Sequence, residues 1–244
     1  MKALDISLHK TNLTNILIDI YKNSFLSPLL GFKGGTAALL FYNLPRFSVD
    51  LDFDLISEIK KDSSEFIQLT DNITSLVSSK FVIKDYSTKY NTLFWQISYG
   101  SGLAHIKIEI STRKNPYNHY NLIPFYGTEI KVLDLQDMIA HKLVAVTERS
   151  SLANRDLFDI HYFLSLPQAS QINYQIIKFR TGKSPKQFYS FLLKYLEKIN
   201  TKNILAGLGE VLTDSQKDWA KAKLIIETKG LIKRQLDLLP PLSP

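Results

Sequence analysis

Three aspartates alternate with apolar residues in Val49-Asp50-Leu51-Asp52-Phe53-Asp54. A β-strand would set all three carboxylates on one face, about 7 Å apart. Like charges at that spacing repel unless the face is open to water or cations fill the gap, and carboxylate oxygens are the donors that hard divalent ions prefer. Two such ions about 3.5–4 Å apart can clamp the attacking and leaving oxygens of a phosphoryl or nucleotidyl transfer. For this strand taken alone, a solvated face is the alternative. Upstream stands Lys33-Gly34-Gly35-Thr36, followed by the helix-forming run Ala37 to Tyr42. Glycines let backbone approach a ligand closely, and the free N–H groups of a helix start, helped by the Thr36 hydroxyl, can hold a phosphate. A Gly-Gly pair alone is an ordinary turn. Followed by a short helix and an acidic strand, it reads as a phosphate cradle beside a metal site.

The elements that must position these groups are legible in the periodicity. Asn12 to Leu26 carries Leu13, Ile16, Leu17 and Ile20 at helical spacing, with Thr11 or Asn12 as the cap. Arg46 to Ile56 alternates as a strand, and Ser63 to Val77 predicts another helix. Phe81–Tyr86, Thr92–Tyr99 and Leu103–Ser111 predict an antiparallel meander, divided by Asn91 and Gly100-Ser101-Gly102. From Asp134 onward the pattern is helical over Leu135–Thr147, Arg155–Leu164, Pro185–Ile199 and Asp214–Lys229. The expectation is an α+β protein whose N-terminal domain, residues 1–128, holds a mixed or antiparallel sheet, followed by a helical domain, residues 129–244. The boundary is expected near Tyr126 to Lys131, and Leu239 to Pro244 as a frayed tail.

Composition narrows the chemistry. The chain has 244 residues, 45% hydrophobic and 22% charged, which suits a folded protein rather than a disordered tail. It has no cysteine, which excludes disulfides, thiolate zinc, iron–sulfur clusters and a cysteine nucleophile, and is compatible with a reducing compartment. Asp19 and Lys22 interrupt the N-terminal apolar stretch, no cleavage-site pattern follows, and no run approaches the roughly 18 apolar residues of a membrane helix. The expectation is a soluble, cytoplasmic protein with no membrane partner. The net charge of +7 is uneven: Lys178 to Pro244 carries 13 basic against 6 acidic residues, while the rest balances at 17 each. A locally basic segment favours a polyanion, nucleic acid above all, because lysines on phosphates release counterions. A solvated lysine-rich helix face explains the charge equally well.

The run from Lys33-Gly34-Gly35-Thr36-Ala37 through Tyr42 to Arg46-Phe47-Ser48-Val49-Asp50-Leu51-Asp52-Phe53 resembles the DNA polymerase β-like nucleotidyltransferase superfamily. More narrowly, it is similar to the AbiEii/MenT nucleotidyltransferase toxins of bacterial toxin/antitoxin and phage-defence systems. A second block looks like the same family: Lys142-Leu143-Val144-Ala145 with Arg149, then Arg155-Asp156-Leu157-Phe158-Asp159. The resemblance implies that Asp50 and Asp52 are the catalytic, metal-binding pair and that Gly34, Gly35 and Thr36 hold nucleotide phosphates. It implies that Lys142 contacts the triphosphate and that Asp156 is needed for activity. Ser48 matches a hydroxyl position beside the nucleotide where some relatives are silenced by phosphorylation. The third carboxylate of the metal site matches Glu109, although many relatives have aspartate there. The implied cofactor is Mg²⁺ or Mn²⁺ and the substrate a nucleoside triphosphate. The implied acceptor is RNA, especially the 3′ end of tRNA, whose modification stops translation, and the implied partner is a cognate antitoxin.

Each residue has a plainer alternative. Arg46 and Lys142 suit a triphosphate because cations offset charge on departing pyrophosphate; without the motif, Lys142 reads as a surface lysine. Arg155, Asp156 and Asp159 also suit a helix start with an ion pair. Asp54 reads as a solvated strand end, and Lys107 shares a face with Glu109. The histidines His9, His105, His119, His141 and His161 show no ligand spacing. Tyr86, Tyr90, Phe94, Trp95 and Tyr99 could stack on bases but read first as core, as does the stripe Phe188, Phe191, Leu192, Tyr195. Two other functions compete: a nucleotidyltransferase acting on a protein or an antibiotic-like small molecule, and a catalytically idle RNA-binding module.

Overall fold

A computed structural model describes residues 5–148, 153–199 and 201–239. Arg149 and the proline-rich end beyond Leu239 lie outside the described residues. The chain divides into two compact units, one made of the chain up to Asn43 and Phe47–Leu133, the other of Leu44–Arg46 and Asp134 onward.

The first unit opens with α1 (Ile6–Lys22), which buries His9, Leu13, Ile16, Leu17 and Ile20 on one stripe. The helix starts earlier than its spacing predicts. Asp5 is the cap, accepting from the Leu8 N–H at 3.0 Å, while Thr11 and Asn12 donate back to the Ser7 and Leu8 carbonyls inside the helix. It also stops earlier, because the Asn23 side chain takes the Phe25 and Leu26 N–H groups into a turn.

Then come β1 (Leu30–Lys33), α2 (Gly34–Phe41), β2 (Leu51–Leu55), α3 (Ser64–Ser78), β3 (Val82–Lys89), β4 (Thr92–Ser98), β5 (His105–Ser111), β6 (Tyr120–Phe125) and β7 (Thr128–Leu133). The strands form one mixed sheet in the order β3-β4-β5-β2-β1-β7-β6. The meander β3-β4-β5 is antiparallel as expected, β2 runs parallel to β5 and antiparallel to β1, and β1 runs parallel to β7. Phe32, Phe53, Trp95, Ile108 and Val132 are completely buried. Of the strand aromatics, Phe94 and Trp95 are core, whereas Tyr86 and Tyr90 are exposed.

The β6–β7 hairpin was not expected. Pro124 and the mixed polarity of Tyr120–Phe125 hide a strand that the sheet nevertheless tolerates, because β6 is an edge where a missing N–H costs little. The turn at Tyr126-Gly127, both at positive φ, is a hairpin turn rather than a linker. The division between units therefore falls at Leu133/Asp134, past the expected 128/129, since β7 pairs with β1.

The second unit is helical: α4 (Leu135–Glu148), α5 (Asn154–Ser165), α6 (Tyr174–Thr181), α7 (Pro185–Glu197) and α8 (Asp214–Leu238). Capping boxes at Ser184/Gln187 and Thr213/Gln216 start α7 and α8. Short α6 escapes a periodicity reading. The buried stripe of α7 is Phe188, Tyr189, Leu192 and Leu196, so Phe191, expected in the core, instead stands 41% exposed. If Asp5 caps α1, Asp5→Ala lowers stability by about 1 kcal/mol while Thr11→Ala is near neutral. Urea unfolding of the two variants checks this, and equal losses contradict the assignment.

Candidate active site

The first unit brings the glycine turn and the acidic strand together. In the β1–β2 register Lys33 faces Asp52, so the chain turns into α2 directly beside that aspartate. Gly34 sits at φ +80, and a Cβ there would lie 2.1 Å from the Asp52 carboxylate oxygen Oδ2. No other residue combines that backbone with that clearance. Lys33, at the cap position, makes no side-chain hydrogen bond to the start of α2. Thr36 is buried and its hydroxyl donates to the Asp50 carbonyl, so it ties the helix to the strand. Any phosphate at this turn is left to the backbone N–H groups.

Asp50 lies just before β2 and its Oδ1 accepts from the Lys107 N–H at 3.3 Å. Asp52 faces Glu109 across the parallel β2–β5 pair, which puts Glu109 on the acidic face as expected, with Lys107 two residues earlier on the same face of β5. Oxygen-only donors suit a hard divalent ion. Yet among the described residues no three His, Cys, Asp or Glu side chains converge closely enough to hold one; what the strands supply is Asp52 and Glu109 in register, with Asp50 two residues earlier. Ser48 is buried.

Asp54 is not the solvated strand end that alternation suggests. It is 6% exposed and accepts from Lys33 Nζ at 2.5 Å, from the Tyr120 hydroxyl at 2.8 Å and from Asn118 Nδ2 at 3.3 Å. The Tyr120 ring reaches it over Gly31, where a Cβ would lie 2.2 Å from the ring. Burial, the Asp54 charge and its hydrogen bond keep the Tyr120 hydroxyl protonated far above its ordinary range.

One supporting residue had no signal in the sequence. His9, buried on α1, bonds the Val49 carbonyl through Nε2 at 2.9 Å and the Tyr99 hydroxyl through Nδ1 at 2.8 Å. A carbonyl only accepts, so Nε2 carries the proton and Nδ1 accepts from Tyr99. Burial lowers the His9 pKa against the opposing pulls of the Val49 carbonyl and the Asp50 charge. Consecutive carbonyls, Val49 and Asp50, are thus pinned by His9 and Thr36. Only the packing of α1 against a strand some forty residues away in the chain reveals this.

The second unit gathers the other block around Asp159, which is fully buried on α5. Arg46 grips it through Nε at 2.5 Å and Nη2 at 2.7 Å, and Lys142 of α4 through Nζ at 2.7 Å. Burial alone would raise the Asp159 pKa; the charges and hydrogen bonds of Lys142 and Arg46 outweigh it and hold it below its ordinary value. Arg46, expected at a triphosphate, is 5% exposed and makes two hydrogen bonds to Asp159. Lys142, with 14% of its side chain exposed, is the more accessible of the two. Asp156 lies in the first turn of α5 and is buried.

Residues 15–224 match the sequence profile of the family described as "Nucleotidyl transferase AbiEii toxin, Type IV TA system". JHP933 from Helicobacter pylori is similar in structure, with a TM-score of 0.63 at 19% identity over 97% of this chain and 94% of that one. A second H. pylori protein, assigned as a nucleotidyltransferase, gives 0.63 at 19% identity over 96% of each chain. At such identity these likenesses establish the fold. No curated protein matches the sequence significantly.

Removing Asp159 leaves the buried Arg46 and the partly buried Lys142 without their shared anion, so Asp159→Ala is expected to cost about 3–5 kcal/mol; a loss below 1 kcal/mol by urea unfolding contradicts the cluster's role. His9 is held neutral in the folded state, so its contribution is complete above its ordinary pKa of 6.5 and is lost as pH falls from there through the lowered folded value. Stability therefore declines from pH 7.5 to 5.5, and His9→Gln flattens that decline by up to about 1.4 kcal/mol per pH unit. Identical slopes for variant and parent rule this out.

Proposed function

Because the chain belongs to the AbiEii family of nucleotidyl transferase toxins of type IV toxin–antitoxin systems, we propose that it transfers a nucleoside monophosphate from a nucleoside triphosphate to RNA. The acceptor in this reading is the 3′ end of tRNA, and the toxic effect is the arrest of translation. A cognate antitoxin is the partner that restrains it. The observation that carries the reading is the seating of Asp52 against Gly34, which sets an acidic strand face directly beside a side-chain-free helix start.

In the reaction an acceptor hydroxyl oxygen bonds to the α-phosphorus, the bond to the leaving pyrophosphate breaks, and the hydroxyl proton is released. The Gly34 and Gly35 backbone receives the phosphates, and Thr36 fixes that turn to the strand through the Asp50 carbonyl. Asp50 and Asp52, with Glu109 in register, are the residues to hold Mg²⁺ or Mn²⁺. Such ions, when bound, lower the pKa of the acceptor hydroxyl and offset charge on the transferring group. His9 keeps the Val49–Asp50 backbone from shifting as charge changes around it. Lys142 is assigned to the triphosphate and Asp156 to activity, by match to the family's second block; Asp159 fixes the Lys142 ammonium. The first unit is read as catalytic, the second as the one that takes the acceptor.

Incubation with each α-labelled nucleoside triphosphate, Mg²⁺ and cell extract, followed by separation of RNA, protein and small molecules, tests this. The label is expected in RNA, concentrated in tRNA, and Asp52→Asn is expected to lower incorporation by more than about 100-fold. Label confined to protein or small molecules overturns the RNA acceptor, and undiminished labelling by Asp52→Asn overturns the site.

A further inference from the structure

The basic excess of the second unit is not spread over its helices. Residues 178–202 carry seven basic residues against the single acid Glu197, whereas residues 203–244 carry six against five. On α8, Lys217 meets Asp214 at 2.8 Å and Lys221 lies near Asp218 at 3.7 Å, while among the described residues Lys223, Lys229 and Lys233 make no ion pair but share their segment with five acids. Arg180 is held by Glu148. Among the described residues, Lys178, Lys183, Lys186, Lys194 and Lys198 make no ion pair. Unpaired lysines on one helical hairpin keep their full charge for a ligand.

That hairpin also exposes aromatic rings. Phe179 on α6 is 53% exposed and Phe191 on α7 is 41% exposed. Phe191 lines an open groove of about 340 Å³ with Lys186, Gln187, Ser190 and Lys194, and Lys183 Nζ lies 4.9 Å from its ring centroid. Helical spacing puts residues 187, 190, 191 and 194 along one side of α7. Cations flanking an exposed aromatic plane are what a single-stranded nucleic acid needs: phosphates for the lysines and a base for the ring. An acidic protein surface would use the lysines but has no base for Phe191.

We propose that the α6–α7 face of the second unit is a docking surface for the single-stranded end of an RNA, with Lys186 and Lys194 on its phosphates and Phe191 stacked on a base. This rests on the reading of the acceptor as RNA and adds where that acceptor is gripped. Binding of unfractionated tRNA by the full chain, followed by fluorescence anisotropy across a salt series, tests it beside the labelling assay. Lys186→Gln/Lys194→Gln is expected to weaken binding and to reduce the slope of log affinity against log salt by about 1.4, at about 0.7 per lost phosphate contact. Phe191→Ala is expected to weaken binding about 5- to 150-fold with the slope unchanged. Both substitutions are on exposed positions, and matching melting curves verify that the variants fold. If the parent labels RNA but all variants bind and label as it does, this surface is overturned and the proposed function stands. If the parent neither binds nor labels RNA, both fall. If the variants lose affinity for poly-glutamate while keeping that for tRNA, the face belongs to an acidic protein and the proposal is overturned.

Discussion

The carboxylate of Asp52 lies where the first side-chain carbon of any residue but glycine at position 34 would have to be. Around that contact the first unit is organised. It requires β1 and β2 to pair in the register that sets Lys33 opposite Asp52, and it requires the chain to leave β1 through a positive φ. Those two conditions aim the start of α2 at the acidic face. The Thr36 hydroxyl then closes the arrangement by fastening the helix to the Asp50 carbonyl. A helix start carries partial positive charge, and a neighbouring carboxylate is favourable there, so this geometry steadies the fold.

Charge is sorted by depth in both units. Three aspartates of one alternating segment meet different fates: Asp50 and Asp52 remain partly exposed, while Asp54 is buried and matched by Lys33, Tyr120 and Asn118. Pairing the innermost acid removes the repulsion that three like charges along one strand would otherwise impose. In the second unit the order is reversed, with one buried acid, Asp159, holding two cations. A buried charge persists only when fully partnered, and here the partners come from Leu44–Arg46 and from α4, segments far apart in sequence.

The lysines of α6 and α7 follow a different rule. At the start of α8, acids three residues before Lys217 and Lys221 blunt the charge locally, a pattern that stabilises an exposed helix by itself. On α6 and α7 no such acids accompany the lysines, and the rings of Phe179 and Phe191 turn outward instead of joining the buried stripe. Self-repelling lysines and solvent-facing phenylalanines both cost stability, and they occur together on one hairpin.

Local signals carried a large part of this molecule. Alternation made β2 and its acidic face legible, turn residues marked the β3–β4–β5 meander, and glycines at a helix start marked the phosphate-type turn, because each depends only on neighbours in the chain. Family resemblance rested on those same local runs, and the profile match over 15–224 bears it out. What neighbours in sequence cannot encode was decided by the tertiary structure. The β6–β7 hairpin became visible only when β7 paired with β1, for an edge strand containing proline has no period of its own. Asp54 left solvent because Tyr120 could pass over Gly31. Phe191 left the core because α7 turns Phe188, Tyr189 and Leu192 inward, and one helix face cannot bury them all. His9 gained its place beneath Val49 only when α1 packed there. Side-chain type and spacing determined which chemistry was available; burial and cross-strand register, set by residues remote in the chain, decided which groups were left to perform it.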